Sequence, residues 1–176
     1  MHKNLLWKIR GMLLFFIVAL VLSGITAFPL RAELHLLNSC FGAQTAVGET
    51  WPDLVFWLEY IQKGLDENAE KYPFMAYGTD WLAFAHLIIA VAFLGPLRDP
   101  VKNIWVIHFG MIACILVIPL AFICGTVREI PLLWKLIDCS FGVGGIIPLI
   151  FVHRWTKKYE NLTENFTDGK QNTCEF

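Results

Sequence analysis

Four stretches of the chain stay apolar long enough to cross hydrocarbon, and polar segments of very unequal length separate them. A bilayer core of ~30 Å takes roughly 20 apolar residues as helix. Met12–Leu30 supplies nineteen residues without a charge, Trp81–Leu97 seventeen, and Ile104–Cys124 twenty-one. Leu132–Val152 supplies a fourth run, interrupted near its start by Lys135 and Asp138. The pattern predicts an all-α, four-helix transmembrane bundle with spans at about 12–30, 81–97, 104–124 and 132–152. It reads as one domain over residues 1–158, followed by a polar, acidic tail over 159–176 that is expected to be disordered.

The long segment between the first two spans carries a different period. Leu54, Leu58, Ile61 and Leu65 recur at helical spacing, with Glu59, Gln62, Lys63, Asp66 and Glu67 on the other side. Thr50-Trp51-Pro52-Asp53 reads as the start of that helix, a hydroxyl cap followed by proline in the first turn. An amphipathic helix over about 51–67, lying on the outer membrane face or capping the bundle, is the expectation. Glu59–Lys63 and Lys63–Glu67 stand four apart and could pair. Residues 38–50 have no strong period and read as loop. Pro29 implies a kink beyond which Arg31–Leu37 can continue as helix.

Composition agrees with the pattern. The chain is 56% hydrophobic and 16% charged, against about a quarter charged in soluble proteins, and its mean hydropathy is +0.55. A net charge of −1 offers no electrostatic case for nucleic acid; the lipid bilayer is the expected partner. Lys3, Lys8 and Arg10 before the first span would also suit a signal peptide, but the apolar run exceeds the ~7–15 residues of such segments, and a retained helix is expected. Lysine and arginine then orient the chain. With both termini cytoplasmic, eight of those up to Lys158 lie inside and five outside. Asn161-Leu-Thr163 and Asn165-Phe-Thr167 match a glycosylation acceptor pattern, which applies only to a lumenal tail.

Candidate chemistry sits among the few polar groups within the spans, where ionisable residues face the interior and mark function. Asp80 opens the second span, His86 lies six residues on, ~9 Å along the axis, and Asp138 follows the first residues of the fourth span. With Arg128 they form the candidate ligand pocket near the outer leaflet. Asp80, His86 and Asp138 are the candidates for proton transfer if the protein is an enzyme, a question the sequence leaves open. Each has a bland reading too: a helix-start carboxylate for Asp80, a satisfied interior imidazole for His86, an end-of-span residue for Asp138. Arg128, Lys135 and His86 are the partners in reach of Asp138.

Other chemistries have weaker footing. His86 and His108 fall at different depths, which disfavours a haem held between them. There is no C-x-x-C, although Cys40, Cys124 and Cys139 all reach the outer side and a Cys40–Cys139 bridge would be structural. No metal-ligand spacing, phosphate loop or nucleophile elbow appears, so neither metal nor cofactor is expected. Ser140 and Gly144 make a small-xxx-small pair suited to close helix approach.

Tyr72-Pro73-Phe74-Met75-Ala76-Tyr77-Gly78-Thr79-Asp80-Trp81-Leu82-Ala83-Phe84-Ala85-His86, with Gly95-Pro96-Leu97-Arg98-Asp99-Pro100 and Leu136-Ile137-Asp138-Cys139-Ser140-Phe141-Gly142, resembles a family of small bacterial integral membrane proteins without assigned activity. That resemblance implies a bacterial inner membrane. The layout is also similar to the emopamil-binding and sigma-2-receptor (EXPERA-like) group, through Leu22-Ser23-Gly24-Ile25-Thr26-Ala27-Phe28, Ile107-His108 before Ile118-Pro119-Leu120, and Ile147-Pro148-Leu149. It implies a sterol-like ligand inside the bundle, with His86 standing where that group carries an acid. Two functions follow as expectations: binding of a lipid-like molecule in the Asp80–His86–Asp138 pocket, or a non-catalytic subunit docking a membrane protein partner.

Overall fold

The computed structural model describes residues 2–42 and 44–171, and every regular element among them is helical. In chain order these are α1 (His2–Ala27), α2 (Leu30–Phe41), α3 (Ala46–Thr50), α4 (Pro52–Lys71), a 3₁₀ turn at Pro73–Ala76, α5 (Tyr77–Ala92), α6 (Leu94–Arg98), α7 (Ile104–Val127) and α8 (Leu132–Gln171). Four segments are long and apolar enough to cross a membrane: Lys3–Ala27, Pro73–Arg98, Ile104–Val127 and Leu132–Thr163. The hydropathy pattern thus located every span and fell short at most ends. The second gains the 3₁₀ turn and the first turn of α5. α8 runs on through the polar residues to Gln171, past the tail boundary set by composition; residues 172–176 of that tail lie outside the described residues.

The contacts divide the chain into two compact units, residues 1–19 with 90–176, and residues 20–89. In the first, α7 and α8 form the most extensive helix pair. Its buried side chains include Ile9, Leu13, Phe93, Ile107, Leu149 and Val152. Small residues set the spacing. A Cβ on Gly142 of α8 would stand 2.5 Å from Cys114 O on α7, and one on Gly145 would stand 2.9 Å from Cys114 Sγ. On α7, a Cβ at Gly110 would stand 2.5 Å from Phe93 Cζ. Phe93 fills that notch and meets Phe16 with centroids 4.8 Å apart and the rings tilted by 51°. Gly144 meets nothing within 4 Å and is exposed, so the close approach expected of Ser140 and Gly144 is made one face round, by Gly142 and Gly145.

The α7–α8 turn is tight because α7 ends in a Schellman motif. Ile130 N–H donates to Gly125 O (2.8 Å) and Glu129 N–H to Thr126 O (3.2 Å), with Glu129 in the left-handed region at φ 57°. Glycine is the usual residue there. Lys135 folds over Gly125 and donates from Nζ to Thr126 Oγ1 at 3.3 Å.

In the second unit, α1 breaks before Pro29, which precedes α2 and cannot donate to the helix behind it. Residues expected as loop are partly helical: α2 continues to Phe41 and α3 occupies Ala46–Thr50. Thr50 does not cap α4. Its hydroxyl donates back to Ala46 O at 2.8 Å, and Trp51 takes the cap position without a side-chain bond. α4 extends four residues beyond the expected end at 67. Neither Glu59–Lys63 nor Lys63–Glu67 closes as an ion pair; the four ion pairs among the described residues lie elsewhere. Gly24 of α1 lies against α5, where a Cβ would come 3.0 Å from Ala83 O and 3.2 Å from His86 Cβ.

Candidate functional site

The 20–89 unit contains a polar clamp and, beside it, an apolar cleft. Arg31, His35 and Asn38 recur at i, i+4 and i+7 on α2, so they share one face. Gln62 and Asp66 do the same on α4, and the two faces meet. Arg31 donates from Nε (2.9 Å) and a terminal nitrogen (2.7 Å) to Asp66 Oδ1. Gln62 Nε2 lies 2.6 Å from His35 Nδ1, and Asn38 donates to Gln62 Oε1. His35 Nε2 stands 3.7 Å from Asp66 Oδ2. If the Gln62 amide donates to Nδ1, the His35 proton sits on Nε2, facing the carboxylate. The Arg31 hydrogen bonds hold the Asp66 carboxyl below its ordinary value of 3.8 against the opposing effect of desolvation, with further help from the Arg31 charge and then from His35.

The cleft has a volume of about 470 Å³. Phe28, Pro29, Leu30 and Ala32 line one side, Leu65, Ala69 and Tyr72 of α4 another, and Met75 and Ala76 the far wall. Arg31, Asn68 and Thr79 supply its polar edge. Phe28 also lines a second depression of about 310 Å³, with Tyr77, Asp80, Trp81 and Phe84. There the aromatics form an edge-to-face ladder, Tyr77–Trp81 and Trp81–Phe84 both at 5.9 Å. Asp80 is half-buried beside them, in the first turn of α5, where the free N–H groups and helix dipole favour a carboxylate.

His86 sits on the same helix but on another side. Six residues at 3.6 per turn separate two directions by about 120°, so Asp80 and His86 do not share a face. His86 Nδ1 lies 2.8 Å from Leu82 O. A carbonyl can only accept, so Nδ1 carries the proton and Nε2 is left as the acceptor. Asp138 and Arg128 belong to the other unit. Asp138 is half-buried on α8 with no hydrogen-bond partner among the described residues, and Arg128, exposed, ends α7. Lys135, in reach of Asp138 by sequence, is engaged with Thr126 instead. Cys40, Cys114, Cys124 and Cys139 are free thiols.

Two features escaped sequence reasoning. The α2–α4 clamp was hidden because its α2 half was read partly as loop. The other is an imidazole pair, His108 on α7 and His153 on α8, with centroids 4.9 Å apart and the rings tilted by 49°. The signal for it was present: both histidines fall toward the same end of two antiparallel neighbours joined by a short turn.

Fold and composition define the class: an all-α, multi-pass membrane protein with a helical hairpin between its first two spans. No family model, curated protein or solved structure matches the chain.

Proposed function

We propose that the protein binds a lipid-like or otherwise apolar small molecule, its body in the cleft between Phe28–Ala32, α4 and the 3₁₀ turn, its polar head toward Thr79 and Asp80. The observation that carries this reading is the cleft: about 470 Å³, apolar on most of its wall, and polar along one edge. That combination of bulk apolar lining and few polar groups is how small-molecule sites are generally built. The depression holding Asp80 shares Phe28 with it, so a carboxylate stands close to the Phe28 side of the cleft. His86, in the same unit, is the base, through Nε2, if proton transfer follows. On the orientation drawn from lysine and arginine, the site faces the outer leaflet of a bacterial inner membrane.

Native mass spectrometry of the detergent-purified chain tests the reading. The wild type is expected to retain an apolar adduct, Ala69→Trp to lose it by filling the cleft, and Asp80→Asn to change which head group is retained. An adduct retained equally by Ala69→Trp would refute the cleft as its site.

A second reading, a non-catalytic subunit that docks a membrane protein, rests on two exposed faces. α8 packs within the chain through Gly142 and Gly145, which leaves Ser140 and Gly144 outward beside Phe141 and Ile147. On α4, Phe56 and Tyr60 stack at 6.5 Å and remain exposed. A stoichiometric protein in a detergent pull-down, with no small-molecule adduct, would favour this second function.

A further inference from the structure

We propose that the basic end of the α7–α8 unit, independently of the cleft, binds the phosphate group of an anionic phospholipid. The site is a depression of about 430 Å³ between the start of α1, the turn after α6 and the last third of α8. Leu6 and Val101 give it an apolar floor; Arg10, Arg98 and Lys102 bring three cations to its wall. Arg10 is fixed in place. Its Nε donates to Leu97 O at 3.2 Å and a terminal nitrogen donates to Arg98 O at 3.3 Å, satisfying carbonyls that the short α6 leaves open.

Charge on the wall is unbalanced. Asp99 is engaged by Lys102, through the backbone N–H at 3.1 Å and Nζ at 3.8 Å. Glu160 is engaged by Lys157 at 2.9 Å. The Arg98 guanidinium has no partner among the described residues, and it is exposed. A neighbouring depression of about 270 Å³ adds Lys8 and Lys158 beside Leu5 and Leu162. Position selects the ligand. The second candidate span ends at Arg98 and the third begins at Ile104, so Arg98 and Lys102 stand in the turn where two spans meet the same membrane face. A planar guanidinium matches a phosphate's oxygens in bidentate fashion, and the apolar floor suits the glycerol and upper acyl chain that follow. A soluble anion would use the first feature and not the second.

Native mass spectrometry with the purified full chain, titrated separately with phosphatidylglycerol, phosphatidylcholine and inorganic phosphate, decides the matter. Saturable binding of phosphatidylglycerol over phosphatidylcholine is expected, weakening as salt rises. Arg98→Gln and Lys102→Gln should each weaken it about fivefold, the effect of one cation at a membrane surface, while Lys63→Gln on α4 leaves it unchanged. Equal retention of both lipids, an unaffected Arg98→Gln, or inorganic phosphate displacing the lipid at matching concentrations would each overturn the proposal. If Arg98→Gln fails to fold, the wild type still decides it, since phosphatidylglycerol binding indifferent to salt also overturns it.

Discussion

Gly142→Ala puts one methyl group where α8 crosses α7. Its carbon would lie 2.5 Å from Cys114 O, and ordinary contact begins near 3.4 Å, so the helices must part by about 0.9 Å along that line. The obstacle is a backbone oxygen, which no rotamer change can move. A gap of 0.5–1 Å forfeits a quarter to a half of each neighbouring dispersion contact, and helices in lipid associate through such packing in place of a hydrophobic driving force. Overpacking of this kind costs about 1–3 kcal/mol. Gly144→Ala supplies the control: its methyl meets nothing within 4 Å, and alanine's advantage in helix propensity, up to about 1 kcal/mol, is common to both variants. Gly145→Ala should fall between, because the thiol it meets can turn aside. The assay is reversible unfolding in mixed micelles of increasing SDS fraction, followed by circular dichroism and tryptophan emission. The difference between Gly142→Ala and Gly144→Ala isolates the steric cost. Indistinguishable midpoints for the two would refute the seam described above.

Three further outcomes are expected. Glu129→Gly should stabilise the chain by about 1 kcal/mol, because it relieves a left-handed residue that carries a Cβ; the same SDS titration reads it, and a loss of stability would contradict the Schellman geometry. The α2–α4 clamp should be pH-dependent with a definite sign. Asp66 titrates below 3.8 when folded, so its contribution is complete above that value and is lost as pH falls through the depressed folded pKa. Hydrogen exchange in α2 should therefore accelerate in that acid range, and Asp66→Asn should abolish the dependence. Thr50→Ala should leave α4 within about 0.5 kcal/mol of the wild type, since the hydroxyl serves α3; a larger loss would restore Thr50 as the cap.

The spans were legible in the sequence because hydrocarbon imposes one demand, unbroken apolar length, and Trp81, Ile104 and Leu132 each open a run that meets it. Their ends were less so. Tyr77–Asp80 and Tyr159–Gln171 are polar enough to read as loop or tail, yet helical hydrogen bonds carry through them once a neighbouring span has paid the nucleation cost. Faces were harder still. Ser140 and Gly144 satisfy the small-xxx-small pattern, but that pattern does not state which side of α8 meets α7, and the side chosen is that of Gly142 and Gly145. At the candidate site, Asp80 and its aromatic neighbours emerge from the sequence as a helix start. Asp80 and His86 share a helix without sharing a direction, which their linear spacing alone would have shown.

The Arg10 contacts carry a consequence for biogenesis. Their carbonyl acceptors lie 87 and 88 positions downstream, so at 5–20 residues per second the guanidinium waits roughly 4 to 17 seconds for them to be made. Throughout that interval the nascent amino-terminal segment must keep its cation among water and headgroups. Its final docking is thereby deferred until the second hydrophobic segment has emerged from the ribosome and the insertion machinery.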